Sequence, residues 1–383
     1  MAAEQLTAAL AACATDDAFV DLLRNSLQSR PSLLARLNLD ATLPLLPETA
    51  ALSLLRTGAG DHAQTEERKI EHAHASAITC VRWAPGGDAL LSGGADRSVV
   101  LTPLDGTATS TVAFDAGVLC LDVHVALGLV AVGVMDGTVA VYDAALNEVR
   151  RFARHHRKYA HAVSFGGLPL LASASYDHSL SVFSVVKDGA DVVAVGSVQC
   201  GGVVEAVAWL PKRRTLVAAV RGDHHLHMVD CSAEKLTAAS LVRTLLNLNA
   251  NGDSTVSYTV LALAPSVDGK WLALATDAGN ALVLDAGTGE QVRTLCLGTL
   301  PDAMQPRPAL AFHPSSKYLY ASSQQPGQEG LLQVWELATQ TPVAELRGHQ
   351  ASVRDVALHP HDPTRLVSAG FDKTLRVWWG GEA

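Results

Sequence analysis

Residues 346–379 read LRGHQASVRDVALHPHDPTRLVSAGFDKTLRVWW, and weaker copies of that pattern run back to about residue 70. A unit this short cannot bury its own apolar face, so its repetition requires that neighbouring units stack and share a core. The acidic residues in the tight turns set the period. Asp96, Asp136, Asp177 and Asp223 follow one another at steps of 40, 41 and 46. Asp277 comes 54 residues later, after the connection NLNANGDSTV, and Asp277 to Asp372 spans 95 residues, room for two units. The first of those two ends in QVWE, with Trp335, and carries the longer loop SSQQPGQEG in place of a turn acid. Seven units therefore occupy roughly 315 residues, close to the ~40–45-residue period of a four-stranded propeller blade.

This pattern resembles the WD-repeat β-propeller family from residue 65 to residue 383. The resemblance implies an all-β fold, a seven-bladed β-propeller of four-stranded antiparallel blades. The last unit carries His349, Ser368, Asp372 and Trp378 at the positions of that family's structural tetrad. The first carries His74, Ser92 and Asp96, with Thr102 where Trp is expected. The third has Ser173 and Asp177 with Phe183 in the aromatic position, and the second has Asp136 and Tyr142. Units four, five and six depart further; the fifth reads LVLD where VWD is expected. In such a tetrad the turn Asp accepts from the loop His and the turn backbone, the His meets the Ser hydroxyl, and the Ser meets the indole N–H. Each contact satisfies a buried polar group that would otherwise cost about 1–3 kcal/mol. On this reading His349 and Asp372 are structural and do not form a catalytic dyad.

The segment ERKIEHAH, Glu67 to His74, resembles the stretch that precedes other units, such as TPVAELRGH. The last unit reaches Trp379 after only three strands, so residues 65–71 are expected to supply its fourth. That pairing closes the ring and leaves no open sheet edge at the seam.

Residues 1–60 have a different texture. Phe19, Leu22, Leu23 and Leu27 recur at helical spacing, Asp16 or Asp17 is placed to cap, and Pro31, Pro44 and Pro47 punctuate the remainder of the segment. The expectation is a short α-helical N-terminal extension, either packed on the propeller rim or serving dimerisation or docking. A linker, TGAGDHAQ, joins it to the repeats.

Composition limits the function classes. The chain has 383 residues, 48% of them hydrophobic, ample for a series of small cores. A net charge of −9 argues against whole-surface attraction to nucleic acid or anionic membrane. Six cysteines, at 13, 80, 120, 200, 231 and 296, show no CxxC spacing, so neither a disulfide framework nor a cysteine zinc site is expected. The N-terminus carries Glu4, Asp16 and Asp17 and no early Lys or Arg, unlike a leader, and no apolar run reaches about 18 residues. The expected location is cytoplasmic or nuclear.

No G-x-S-x-G, P-loop or H-E-x-x-H occurs, so no enzyme activity, cofactor or metal is expected. Histidines cluster in HHRKYAH and GDHHLH. The strand order expected for the repeats puts His155, His156, His178, His224 and His225 on one face, over the third and fourth units, where solvated loop residues plus one tetrad histidine account for them. Of two basic runs, Arg150 to Lys158 is expected on the connection leading into the third unit, on the top face, and Lys212 to Arg214 in a turn on the bottom face, so they cannot form one patch.

In propellers of the resembled family, partners dock on the top face through three positions per blade. These are the third and fifth residues after the loop His and the residue before the turn Asp. Carried over, the third unit offers Tyr159, His161 and Tyr176, the seventh offers Ser352, Arg354 and Phe371, the second Met135, and the fourth Glu205. Tyr and Arg are enriched at interface hot spots, and a Phe in a solvent-facing loop has no core to fill. The expected function is a non-enzymatic scaffold that binds a protein partner there, within a multi-subunit complex. The alternative is an RNA-associated subunit of a ribonucleoprotein using residues 150–158. Members that serve cullin-4 ligases often carry an Arg two residues after the Trp-Asp pair. Here the corresponding ends read VYDAAL, VWELAT and VWWGGE, which weighs against that partner.

Overall fold

The computed structural model describes residues 66–379 apart from 187–188, 212, 233–241, 249–257, 299–306, 324, 326 and 329. The helical extension expected over 1–60 lies outside the described residues. The described chain forms seven four-stranded antiparallel sheets. Each is a meander whose first strand lies innermost, and the innermost strands of neighbouring sheets face one another around a closed ring. In blades one to seven these strands are Ile78–Trp83, Val118–His124, Ala160–Phe165, Val204–Trp209, Val260–Pro265, Leu310–Phe312 and Val353–Leu358.

The ring holds because each blade buries both faces. Second strands such as Ala89–Gly94, Leu129–Val134 and Leu170–Ser175 are buried at every position. They are built of small residues together with Leu and Val that pack between two sheets, as strands covered on both sides require. The buried apolar residues gather into seven clusters among the described residues, one for each blade-to-blade interface. The cluster between blades seven and one, with Ile78, Val81, Trp83 and Leu90 against Val367, Leu375 and Val377, is built like the others.

Blade seven draws its outer strand from the other end of the repeat region. Glu66–Ile70 pairs antiparallel with Leu375–Trp379, Glu67 opposite Trp378 and Ile70 opposite Leu375. A polar stitch crosses the same seam on the channel side. Asp355 accepts from the Val81 amide (3.0 Å) and from the Arg82 guanidinium (2.7 Å), while Arg82 also meets Asp122 (3.3 Å) and Asp122 accepts from the Phe165 amide (2.7 Å). Blades seven, one, two and three are thereby linked through three side chains.

The turn acids anchor the tight turns. The residue after the acid takes a left-handed conformation in several blades: Arg97 (φ 70), Gly137 (φ 87), His178 (φ 70) and Lys373 (φ 64). At Gly137 a side chain is excluded twice over, since an added Cβ would lie 2.1 Å from the His156 carbonyl oxygen. No helix among the described residues is long and apolar enough to cross a membrane.

Candidate functional site

The tetrad positions come together as hydrogen-bonded chains in the complete blades. In blade seven, His349 Nδ1 lies 3.0 Å from Asp372 Oδ2 and its Nε2 lies 2.8 Å from Ser368 Oγ, onto which Trp378 Nε1 donates at 2.8 Å. Asp372 also accepts from the amides of Gln350 (2.9 Å) and Thr374 (3.1 Å). Burial alone would raise its carboxyl, but the His349 and Gln350 bonds outweigh that and hold it far below the usual carboxylate range. An ionised Asp372 can only accept, so Nδ1 of His349 is the donor in that bond.

Blade one repeats this with His74, Ser92 and Asp96, with His74 Nε2 2.9 Å from Ser92 Oγ. In place of the indole, Thr102 leaves its buried hydroxyl oxygen with no hydrogen-bond partner among the described residues. Blade three uses His156, whose Nε2 lies 2.7 Å from Ser173 and whose Nδ1 reaches Asp177 through the Ser179 hydroxyl. Blade four has no loop histidine. Asp223 is held instead by two residues of its own third strand, His225 Nδ1 at 2.9 Å and His227 Nε2 at 2.8 Å. In blade six Trp335 faces Leu319 as Trp378 faces Leu366, yet Ala321 stands where Ser368 stands in blade seven. The Trp335 indole N–H is accordingly buried without an acceptor among the described residues.

These bonds account for most of the clustered histidines. His156 belongs to a tetrad, His155 meets the Ser181 hydroxyl and packs on Phe183, and His178 is a turn residue. His224 and His225 stack at 3.9 Å and, with Asp223, could offer three ligand atoms to a metal. The bonds from His225 and His227 to Asp223 give that cluster a structural role.

The innermost strands set up the top of the channel through a repeated bulge. In six of them the pairing register slips at the second residue. A bulge leaves one residue outside the ladder and re-aims it. The six residues so placed are Thr79, Leu119, His161, Glu205, Leu261 and Arg354. This bulge is the physical basis of the fifth-residue position counted from the loop histidine.

Around that mouth the partner-contact candidates divide. Tyr159 is 44% exposed and Phe371 40%, with Met135 at 38% on blade two. Tyr176 is half-buried, its ring 5.6 Å from that of Tyr159 and 4.9 Å from that of His161. Glu205 occupies the same bulge position but is buried. It is only 2% exposed, ion-paired with Arg221 at 2.5 Å and facing His161 Nε2 at 3.4 Å. It is therefore a buried counter-charge that holds Arg221 and His161, with little of its own surface to offer a partner. Burial pushes the His161 imidazole down to about 4 against the pull of Glu205. Arg221 in turn lies 5.7 Å over the Tyr176 ring, an extra brace on that tyrosine.

Arg354 is half-buried at the mouth, and it lies beside a residue that position counting did not single out. Arg307, on the approach to blade six, donates through Nε to the Leu261 carbonyl (2.8 Å) and through Nη1 to the His161 carbonyl (3.4 Å). Both acceptors are bulge residues, and the second lies across the channel on blade three. Arg354 Nη1 donates to the Arg307 carbonyl at 3.1 Å. Neither guanidinium has a carboxylate within 4 Å among the described residues. Burial, followed by repulsion from Arg307, pushes Arg354 down to about 10, so it stays charged at neutral pH. Counting from the loop histidine misses Arg307 because blade six has no such histidine.

The basic run is split by the fold. Arg150 and Arg151 lie on the outer strand Glu148–Phe152 of blade two, and not on the top connection expected from sequence. Arg151 pairs with Glu148 (2.8 Å) and the Tyr142 hydroxyl (2.8 Å), and Arg150 faces Asp191 at 3.9 Å. Arg154, Arg157 and Lys158 alone occupy the connection.

Residues 66–101 and 340–378 match the family model described as "WD domain, G-beta repeat". The chain is 25% identical over 276 residues to the nuclear distribution protein nudF of Aspergillus niger, covering 68% of this chain and 58% of that protein. It is 25% identical over 302 residues to the nuclear distribution protein PAC1 of Coccidioides posadasii, covering 68% and 56% respectively. It is 33% identical over 67 residues to nucleoporin Nup43 of Homo sapiens, 17% of each chain. The chain thus spans a little over half the length of the two nuclear distribution proteins and a small part of the nucleoporin.

Proposed function

Because this chain is a seven-bladed β-propeller of the WD-repeat family, a family that typically supplies protein-interaction scaffolds, we propose that its top face docks an extended segment of a protein partner. The observation that carries this reading is the pairing of exposed rings with unmatched charge at one channel mouth. Tyr159 and Phe371 stand out from the surface, and Arg354 and Arg307 at the same mouth have no carboxylate within 4 Å among the described residues. Tyr159 and Tyr176 offer ring faces to an incoming chain, His161 and Arg221 fix the second ring, and Glu205 holds both of those. Aromatic anchors flanking a desolvated charge are the composition of an interface hot spot.

The protein acts without catalysis, as a subunit of a multi-subunit assembly in the nucleus or cytoplasm. The relatives named for nuclear distribution and as a nucleoporin support that class of role. The RNA-binding alternative has less support, since two of the five basic residues in 150–158 are engaged with acidic neighbours on an outer strand.

The test is affinity capture with mass spectrometry from the source organism, comparing wild type with a folded Tyr159→Ala/Tyr176→Ala/Phe371→Ala variant. Partners lost in the variant are the expected result. An unchanged partner set would move the docking site away from this face, and a steep fall of binding with salt would favour the nucleic-acid reading.

A further inference from the structure

We propose that the segment docked on the top face inserts a carboxylate side chain, Asp or Glu, between Arg307 and Arg354 at the channel mouth. This rests on the docking reading above and specifies the chemistry of its partner.

The channel's other charges are already matched. Arg82 lies between Asp355 and Asp122, and Glu205 is engaged by Arg221 and His161. Arg307 and Arg354 stand apart. Each guanidinium carries five N–H groups in a fixed fork, yet among the described residues Arg307 donates to two main-chain carbonyls and Arg354 to one. The charge of Arg307 repels that of Arg354, and both are held in a partly dehydrated site. An arriving anion relieves both conditions at once, and a carboxylate offers the two oxygens that a guanidinium fork accepts best.

In the channel and at its mouth four guanidiniums (Arg82, Arg221, Arg307 and Arg354) face three carboxylates (Asp122, Glu205 and Asp355), a local excess of positive charge although the chain as a whole carries −9. The negative net charge disfavours an acidic partner over the chain as a whole, so the attraction is concentrated on the mouth arginines and on Arg154, Arg157 and Lys158 of the connection into blade three. The rings of Tyr159, Tyr176 and Phe371 on the same face set the apolar contacts that a bare anion would not use. These contacts favour an extended acidic peptide over a free ion.

The experiment selects binders from a displayed library of random linear 16-residue peptides on the full chain. The best peptide is then measured by fluorescence anisotropy. The expected result is a shared Asp or Glu whose change to Asn or Gln weakens binding about tenfold or more. Arg354→Gln and Arg307→Gln should produce the same loss, with no further loss when peptide and protein changes are combined. Arg354→Lys, which keeps the charge and loses the fork, should retain part of the affinity and guards against a folding defect in the Gln variants.

Peptides that lack an acid, and whose binding falls in Tyr159→Ala but not in Arg354→Gln, would overturn the carboxylate proposal and leave the docking face standing. Binding that ignores Tyr159, Phe371 and both arginines, or no enriched peptide at all, would overturn both. A single-stranded oligouridine that displaces the peptide and itself requires Arg307 and Arg354 would also overturn the proposal, in favour of RNA.

Discussion

The Arg354 guanidinium donates to the main-chain carbonyl of Arg307 at 3.1 Å, so blade seven is fastened to blade six by the same side chain that faces the channel mouth. Arg307 continues the contact to the bulge carbonyls of Leu261 and His161. The two arginines thus bridge blades three, five, six and seven above the lumen without any acidic residue.

Arg307 is only partly buried and its two bonds go to main-chain carbonyls, the second a long one at 3.4 Å, so their loss should be mild. Arg307→Gln is expected to lower stability by no more than about 2 kcal/mol. Urea unfolding measures this, and a larger loss would show that the bridge is a main support of the ring.

Ser368→Ala should destabilise more than Ser92→Ala. The first leaves two buried partners without Oγ, His349 Nε2 and Trp378 Nε1, and the second leaves only His74 Nε2. At about 1–3 kcal/mol per orphaned group, the gap between the variants is about one such group. Thermal unfolding of the two side by side decides it; equal losses would mean that Trp378 gains little from the serine.

Blade six offers the converse experiment. Ala321→Ser places a hydroxyl where Trp335 Nε1 has no acceptor and is expected to raise stability by about 1 kcal/mol. A fall in melting temperature would show that the added hydroxyl finds no place for its own proton.

Asp355→Ala removes from the seam the Oδ2 that accepts from both the Val81 amide and Arg82. A loss of about 2–4 kcal/mol is expected, with Asp122 retaining part of the hold on Arg82. Hydrogen exchange should show the change concentrated in blades one and seven; a uniform effect around the ring would contradict a local stitch.

Acid should weaken the propeller well before its carboxylates protonate. Burial pushes His156, His161 and His313 down to about 4, from an ordinary value near 6.5. Between those limits the unfolded chain binds more protons than the folded one. The stability these rings contribute is complete above about pH 6.5 and is lost as pH falls toward 4, by at most about 1.4 kcal/mol per unit for each. A second loss sets in below about pH 3.8, as Asp177 and Asp223 protonate. Burial raises both carboxyls, but the bonds from Ser179 and Arg157 to the first, and from His227 and His225 to the second, hold them at about 2. Urea midpoints at pH 7.5 and 5.0 should differ, and His161→Gln should narrow the difference. Equal midpoints would mean that these histidines protonate freely in the folded state.

What the sequence revealed depended on how completely each unit kept its polar residues. Blade seven was legible because His349, Ser368, Asp372 and Trp378 sit at fixed separations along one stretch. Blade four hid its solution, since Asp223 takes partners two and four residues further along the chain where a loop histidine is expected. Position counting reaches the bulge residues His161, Glu205 and Arg354 but has no means of reading burial, so it does not separate Glu205 from the other two. Arg307 was invisible to counting because its unit lacks both the loop histidine and the turn acid. Its partners are carbonyls, which every residue carries and no pattern marks.

The strand Glu66–Ile70 lies beside Leu375–Trp379. The two ends of the repeat region are therefore neighbours within one sheet, and no blade is first. The order of blades around the axis is a cycle, and the chain's entry point is a choice of origin on it. Joining the two seam strands by a short loop and opening a bottom-face turn elsewhere would renumber the blades while leaving every interface in place.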